Sequence, residues 1–446
     1  INPFDPSRIV NYPQLSDMDL ALRLGRAWNA FNSYRRSSFQ ERSVLMNRVA
    51  SSLRERSREL AEVITREMGK PMAEATAEVK KCAWVCEYYA ENAAEFLKDK
   101  PVETEAGESR VIFEPLGPVL AVMPWNFPFW QVFRCAAPAP MAGNTLVLKH
   151  ASNVQGCAGA MEEIFLEAGF DEGVFQNLAI GSDRVAGVIA SEYVRAVSLT
   201  GSEQAGKAVA AQAGKHLKKC VLELGGSNAF VVLNDANREL ALNVAIPARM
   251  QNGGQSCIAA KRFILESWIA EDFIPLLVKK VSGLVSGDPM EEGTQVGPLV
   301  SVAQAREVEE QVKRSVALGA KLLLGGERDG AFFQPTILTG LTPEMPVVQE
   351  EVFGPVFAIL EANSPEHALD LSNRSKFGLG MQVFTASEQS AGLFIQGAEE
   401  GAVFVNAMVK SDPRLPFGGI KNSGYGRELS LEGIREFVNI KTIWID

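Results

Sequence analysis

The chain has 446 residues, too many for one compact core, so two or three domains are expected. Hydrophobic residues make up 46% and charged residues 22%, the balance of an ordinary globular protein rather than a disordered one. A net charge of −10 argues against a nucleic-acid partner and against docking on anionic lipid, and no apolar run reaches the length of a membrane span.

Residues 16–97 carry apolar side chains at helical spacing in DMDLALRLGRAWNAF, SVLMNRVASSLRERSRELAEVITREMG and AEATAEVKKCAWVCEYYAENAAEFL. Arg, Lys and Glu fill the opposite faces and read as solvated surface, so these helices are assigned no chemistry. From about 110 the texture turns β-like, with VIFEPLGPVLAVMPW rich in valine and broken by Gly-Pro. TLVLK (145–149) then precedes a helix near 153–168, and VFQNLAI (174–180) precedes one at 182–190. VRAVSLT (194–200) leads into the helical GSEQAGKAVAAQAG, followed by the strands KCVLEL and AFVVL (229–233). Short apolar strands separated by helices predict a parallel, doubly wound sheet, which binds ligands beyond the carboxyl ends of its strands. A second alternation from about 257 to 430 contains RFIL (262–265), KLLLGG (321–326), VFAIL (356–360), QVFTA (382–386) and AVFVN (402–406). It predicts a second α/β domain. The strand-like tail FVNIKTIWID needs a sheet to join, in this chain or in another subunit.

Six cysteines in so long a chain do not make a disulfide scaffold, and a reducing cytoplasm is expected. INPFDPSRIVNYPQ has no basic start before an apolar stretch, so no secretory leader is expected. The three histidines, His150, His216 and His367, form no ligand-spaced pair, and no CxxC occurs. Cys82 and Cys86 lie four apart on a helix without further ligands, so no metal site is expected. Nor is a base marked for a Cys–His hydrolase. One cysteine stands apart. Free cysteines usually act as small buried hydrophobes. In GGQSCIAAKR (253–262), however, Gly253 and Gly254 permit a sharp turn that can aim Cys257 into a cleft.

Three further stretches are unusual. PWNFPFWQVFR (124–134) packs aromatics around Asn126. LELGGSN (222–228) sets Glu223 at a strand end before a Gly-Gly turn, and EEVFGPV (350–356) places two carboxylates before Phe-Gly-Pro. Together with GQSC, in this order and spacing, they resemble the aldehyde dehydrogenase superfamily over nearly the whole chain. The resemblance implies two doubly wound α/β domains, one cofactor-binding and one catalytic, with a small β oligomerisation extension. Residues 1–96 and 116–225 would bind the dinucleotide, 226–427 would carry the catalytic domain, and 97–115 and 436–446 would supply oligomerisation strands of a homodimer or homotetramer. It also implies Cys257 as nucleophile, Glu223 as general base, and the Asn126 amide with the Cys257 N–H as oxyanion hole. The chemistry agrees. A thiolate attacks well and makes a labile thioester, an oxyanion needs fixed donors, and with so few histidines a carboxylate is the natural base. Cys135 and Cys220 are candidates to lie nearby.

No GxGxxG follows a strand, so the usual dinucleotide fingerprint is absent. The family holds its cofactor differently. Thr200-Gly201-Ser202 opens a helix whose N-terminus can take the pyrophosphate. By resemblance, Lys149 reaches the adenosine ribose, Glu351 holds the nicotinamide ribose with Phe353 beside it, and Trp125 contacts the same end. Many NAD-preferring relatives carry a glutamate three residues after the lysine. Here KHASN puts Ser152 there, without its repulsion of a 2′-phosphate, and His150 could add charge to that of Lys149. NADP is therefore expected, with NAD possible.

For the substrate, Arg134 falls where general relatives carry a tryptophan and Ser411 where they carry an aromatic, and Ser256 precedes the thiol. A cation and two hydroxyls suggest a carboxylated aldehyde, since arginine grips carboxylate bidentately. The alternative is that Arg134 pairs with a protein carboxylate. Arg414 is a second candidate for the substrate carboxylate, and Trp130 and Phe417 for the apolar wall. MPWNFPFWQVFR, NGGQSCIAAKRFIL and VKSDPRLPFGGIKNSGYGREL are similar to the succinate-semialdehyde dehydrogenases of bacteria and cyanobacteria. Another semialdehyde such as glutarate semialdehyde, a broad aldehyde range, a CoA-acylating variant and a catalytically silent relative are the competing readings.

Overall fold

The computed structural model describes residues 1–446. The three helical stretches expected at the N-terminus form four helices, α1 (Asp17–Tyr34), α2 (Phe39–Glu55), α3 (Ser57–Met68) and α4 (Met72–Phe96), the second stretch dividing at Arg56. Serine side chains start the first two: Ser16 accepts the Asp19 N–H, and Ser38 forms a reciprocal capping box with Glu41. Gly69, left-handed at φ 83°, ends α3.

The next elements are β1 (Glu108–Pro115), β2 (Val119–Met123), α5 (Trp130–Ala136), β3 (Leu146–His150), α6 (Gln155–Glu167), β4 (Phe175–Asn177), β5 (Ala196–Thr200), α7 (Glu203–Lys215) and β6 (Lys219–Glu223). Strands β6, β5, β2, β3 and β4 lie side by side and parallel, Val119 facing Ala196 on one side and Leu146 on the other. Apolar side chains cover both faces, one packed on α2–α4 and the other on α1 and α7. Two-sided burial explains why these strands read as unbroken apolar runs.

The second sheet contains β7 (Asn228–Val232), β8 (Ala260–Glu266), β9 (Lys321–Leu324), β10 (Thr336–Thr339), β11 (Val356–Ala362), β12 (Met381–Phe384) and β13 (Val403–Val405). Its order is β9-β10-β11-β8-β7-β12-β13, parallel except for the edge pair β9–β10. Helix α8 (Arg238–Met250), capped by Asn237, covers one face. A short strand, β14 (Gly424–Tyr425), pairs antiparallel with β6, Gly424 opposite Glu223. The chain thus returns to the first sheet near residue 424 and closes over Glu223. Strand β15 (Val438–Ile445) pairs antiparallel with β1 along its whole length, and Lys100–Pro101 adds a third strand to this small sheet. No helix is long and apolar enough to cross a membrane.

Candidate active site

Between α8 and β8 the chain makes a tight turn at Gln251–Gly254, with Asn252 at φ 53° and Gly254 at φ 77°. A Cβ at Gly254 would collide with the Gly354 carbonyl oxygen, so only glycine lets the 350–356 loop approach the nucleophile loop. Cys257 follows, half-buried. Its carbonyl and that of Ser256 accept hydrogen bonds from Lys261 Nζ, each at 2.8 Å. Burial pushes the thiol up to about 11; the Arg134 and Lys261 cations pull it down, whereas Glu351 and Glu223 push it further up.

Asn126 sits on the loop after β2. Its Nδ2 donates to the Gln255 carbonyl (2.9 Å), and its Oδ1 accepts from Gln131 Nε2 (3.0 Å). The Asn126 carbonyl accepts from Asn252 Nδ2 (2.7 Å). Amide orientation is thereby fixed, and the second Nδ2 hydrogen remains for a ligand. Glu223 ends β6 fully enclosed, with no hydrogen-bond partner on either carboxylate oxygen. Burial raises its pKa well above the carboxylate range, the neighbouring Glu428 raises it further, and Arg134 and Arg427 oppose this. An enclosed carboxyl without partners resists ionisation and, once ionised, is a strong proton acceptor.

Two cavities meet at Cys257. The larger, about 470 Å³, is lined by Trp125, Asn126, Gly201, Ser202, Glu351 and Phe353 among others. Trp125 and Phe353 pack edge to face at 5.8 Å. Glu351 accepts the Gly226 N–H (3.1 Å) and pairs with Lys261 at 3.2 Å. A Cβ on Gly225 would strike the Glu351 carboxylate, so the cavity wall is bare backbone here. Ser202 caps α7 by accepting the Ala205 N–H. The helix N-terminus, the stripped wall and the Glu351 carboxylate beside it fit a dinucleotide. Lys149 and Ser152 lie outside this cavity. Lys149 is half-buried without an ion pair, its pKa lowered by burial against the pull of Asp183. Ser152 is exposed and lines a separate hollow with Tyr12 and Glu67. His150 corrects an expectation. It is fully buried and held neutral, its pKa pushed down to about 4 by burial, so it lends no charge to a phosphate. Its ring nitrogens are taken up by backbone: Nδ1 lies against the Met123 carbonyl (3.1 Å) and the Ala151 N–H (3.0 Å), and Nε2 against the Pro128 carbonyl (2.9 Å).

The smaller cavity, about 170 Å³, is lined by Trp130, Arg134, Ser256, Ser411 and Phe417, all expected from the sequence. Lys81, Glu74, Glu78 and Gln131 also line it, and none was expected. Arg134 Nε pairs with Glu428 at 2.6 Å, both side chains buried, and Nη2 donates to Thr200 Oγ1 (3.1 Å). Much of its fork is therefore committed to the protein. Arg414 does not reach the cavity: it is clamped bidentately on Asp412 at 2.8 Å and mostly exposed. Cys135 is buried beside Glu428 and Ser198, and Cys220 is half-buried beside Tyr425.

A thiol held between an apolar, cation-bearing cavity and a dinucleotide-shaped one, with a fixed amide and an enclosed carboxylate, defines a thiol-dependent oxidoreductase acting on a carbonyl. The chain belongs to the aldehyde dehydrogenase family, whose profile matches residues 1–443. It is 47% identical over 448 residues to a Synechocystis sp. protein named a probable succinate-semialdehyde dehydrogenase (NADP+), covering 100% of this chain and 99% of that one. It is 45% identical to the Escherichia coli succinate semialdehyde dehydrogenase (NAD(P)+) Sad, covering 100% and 97%. The crystal structure of the Streptococcus pyogenes succinic semialdehyde dehydrogenase with NADP+ superposes with a TM-score of 0.97, at 41% identity, over 100% of this chain and 99% of that one.

Proposed function

We propose that this protein oxidises succinate semialdehyde to succinate with NADP, NAD also being accepted. The position of Cys257 at the junction of a cation-bearing cavity and a dinucleotide-shaped one carries this reading. The names of the relatives support the substrate and the cofactor.

Glu223 takes the thiol proton, directly or through water, and the Cys257 sulfur attacks the aldehyde carbon. Asn126 Nδ2 and the Cys257 N–H receive the oxyanion of the resulting thiohemiacetal. NADP, when bound, supplies the hydride acceptor that turns this adduct into a thioester. Gly201, Ser202, Trp125, Glu351 and Phe353 would hold it, with Lys149 and Ser152 further out toward the 2′-phosphate. Once it has passed the first proton to solvent, Glu223 takes a second from water as that water attacks the thioester carbonyl, and expulsion of the Cys257 thiolate releases the acid. Residues 1–96 and 116–225 form the cofactor domain in this reading and 226–427 the catalytic one, with β14 reaching back. The exposed Ile440, Trp444 and Ile445 on β15 favour a homodimer or homotetramer, and six unpaired cysteines favour a reducing cytoplasm.

Initial rates without CoA on succinate semialdehyde, glutarate semialdehyde and butyraldehyde, each with NADP and with NAD, test the reading. Succinate semialdehyde with NADP should give a kcat/KM at least about tenfold above that of butyraldehyde, the worth of one charged contact. A preference for butyraldehyde would leave the family intact and overturn the substrate.

A further inference from the structure

Helix α4 turns one face toward the active site, and three side chains on it, Glu74, Glu78 and Lys81, line the smaller cavity. Two of them are spoken for. Glu74 Oε2 accepts the Asn252 N–H (2.6 Å) and so holds the nucleophile turn. Glu78 Oε1 accepts the N–H groups of Phe129 and Trp130 (2.9 and 3.0 Å), while Oε2 pairs with buried Lys70. Lys81 differs. It makes no ion pair with any carboxylate; its Nζ donates to Ser411 Oγ (2.9 Å) and stands 4.2 Å from the centre of the Trp130 ring.

Hydrogen-bond accounting at Ser411 completes the picture. Its buried Oγ accepts from Lys81 Nζ and also from Trp130 Nε1 (2.9 Å). A hydroxyl has two acceptor sites and one proton. With both acceptor sites filled, the Ser411 proton is left to donate, and the cavity is what the side chain lines. The ammonium of Lys81 keeps two further N–H donors. The only other enclosed cation of the cavity, Arg134, is already neutralised by Glu428 at 2.6 Å. Lys410 is exposed at the rim. A cation with no ion-pair contact beside a hydroxyl left to donate is a receptor for a carboxylate.

We propose that Lys81 Nζ and the Ser411 hydroxyl, oriented by Trp130, hold the carboxylate tail of the substrate, and that Lys81 sets the preference for acid-tailed aldehydes. The proposal rests on the reading that the substrate is a semialdehyde. Arg134 then shapes the cavity and its field, while Lys81 makes the discriminating contact.

Steady-state rates of the holoenzyme on succinate semialdehyde and butyraldehyde, for wild type, Lys81→Met and Lys81→Arg, test it. Lys81→Met should raise the KM for succinate semialdehyde about 10- to 100-fold, the range for a lost charged hydrogen bond, with kcat changing far less. The ratio of kcat/KM between the two aldehydes should collapse accordingly, and Lys81→Arg should restore most of it. A second readout needs neither cofactor nor turnover. Succinate should slow alkylation of Cys257 by iodoacetamide in wild type and Lys81→Arg, but not in Lys81→Met, and butyrate should protect poorly in all three. If wild type shows no preference for the acid-tailed aldehyde, the substrate reading falls before any variant is made. If wild type shows it and Lys81→Met keeps both it and the succinate protection, the Lys81 proposal alone is wrong. An equal loss on both aldehydes in Lys81→Met, with protection retained, would make Lys81 a packing residue and overturn the proposal as well.

Discussion

The two cavities that meet at Cys257 are built from different materials. The larger one takes most of its wall from loops at strand ends, namely the turn after β2, the N-terminus of α7, the bare backbone at Gly225 and the 350–356 loop, with Gln304, Glu307 and Gln311 lining it from the helix Val302–Ala317. Among its carboxylates, Glu351 is held by Lys261 and the Gly226 N–H, and Glu350 by Arg314. The smaller cavity is walled by side chains from helices α4 and α5 together with the 408–411 loop and Phe417, and Lys81 stands in it without an ion pair, its Nζ donating to Ser411. The thiol therefore sits in opposed fields, lowered by Arg134 and Lys261 and raised by Glu351 and Glu223. Backbone walls recognise a ligand of fixed shape, and side-chain walls can discriminate between ligands that differ by one charged group.

The largest effect expected at this junction comes from Glu223, enclosed behind the two cavities with no hydrogen bond on either carboxylate oxygen. Glu223→Gln keeps the shape and removes the base. The steady-state rate should fall about 10²- to 10⁴-fold, the usual worth of a positioned base. With burial and Glu428 both raising its pKa, the wild-type rate should climb toward alkaline pH as the carboxyl loses its proton. In the glutamine variant the share of that limb due to Glu223 should vanish, leaving the later rise of the Cys257 thiol, which burial pushes up to about 11. A Glu223→Gln enzyme with an unaltered rate and pH profile would assign the base elsewhere.

Arg134 is where the two cavities depend on the same ion pair. Arg134→Ala strands Glu428, whose side chain is 4% exposed, without its cation. Breaking one side of a buried pair costs about 3–5 kcal/mol. Calorimetry should show a clear fall in Tm, and activity should decline toward succinate semialdehyde and butyraldehyde together. An unchanged Tm with loss confined to the acid-tailed aldehyde would instead make Arg134 the tail's partner and remove that role from Lys81.

The difference in materials also explains what the sequence discloses. Asn126 among aromatics, Cys257 after Gly-Gly, Glu223 before Gly-Gly and Glu351 before Phe-Gly-Pro are odd residues in short loops, where the local pattern betrays a purpose. The doubly wound sheets were equally legible, because strands buried on both faces leave apolar runs that polar turns punctuate. Lys81, Glu74 and Glu78 have the spacing of a solvated helical face, and only the packing of α4 on the 126–134 loop turns that face inward. Arg414 failed as a candidate because Asp412, two residues away, captures it. His150 failed because its ring is consumed by the backbone around it. Strand β14 has two residues, too few to leave a period, yet it packs opposite the base.

The smallest effect isolates the cation of the side-chain cavity. Burial pulls the Lys81 ammonium down to about 8, and the Arg134 cation pulls in the same direction; Cys82, Asp412 and Glu78 oppose them. Glu74 on the same face, which holds the Asn252 N–H, is pushed up to about 6 by burial and stays anionic from pH 7 upward. A lowered lysine pKa means the charge is present below about 8 and lost as pH rises through it. Glu223 and Cys257 also titrate on the alkaline side, but they serve both aldehydes and cancel in a ratio. The ratio of kcat/KM for succinate semialdehyde over butyraldehyde should therefore fall about fivefold between pH 7 and pH 9, on the scale of one pKa unit. In Lys81→Arg the ratio should stay level, since a guanidinium keeps its proton throughout. A level ratio in the wild type would mean that no titrating cation holds the tail, and the smaller cavity would then select by shape, as the larger one does.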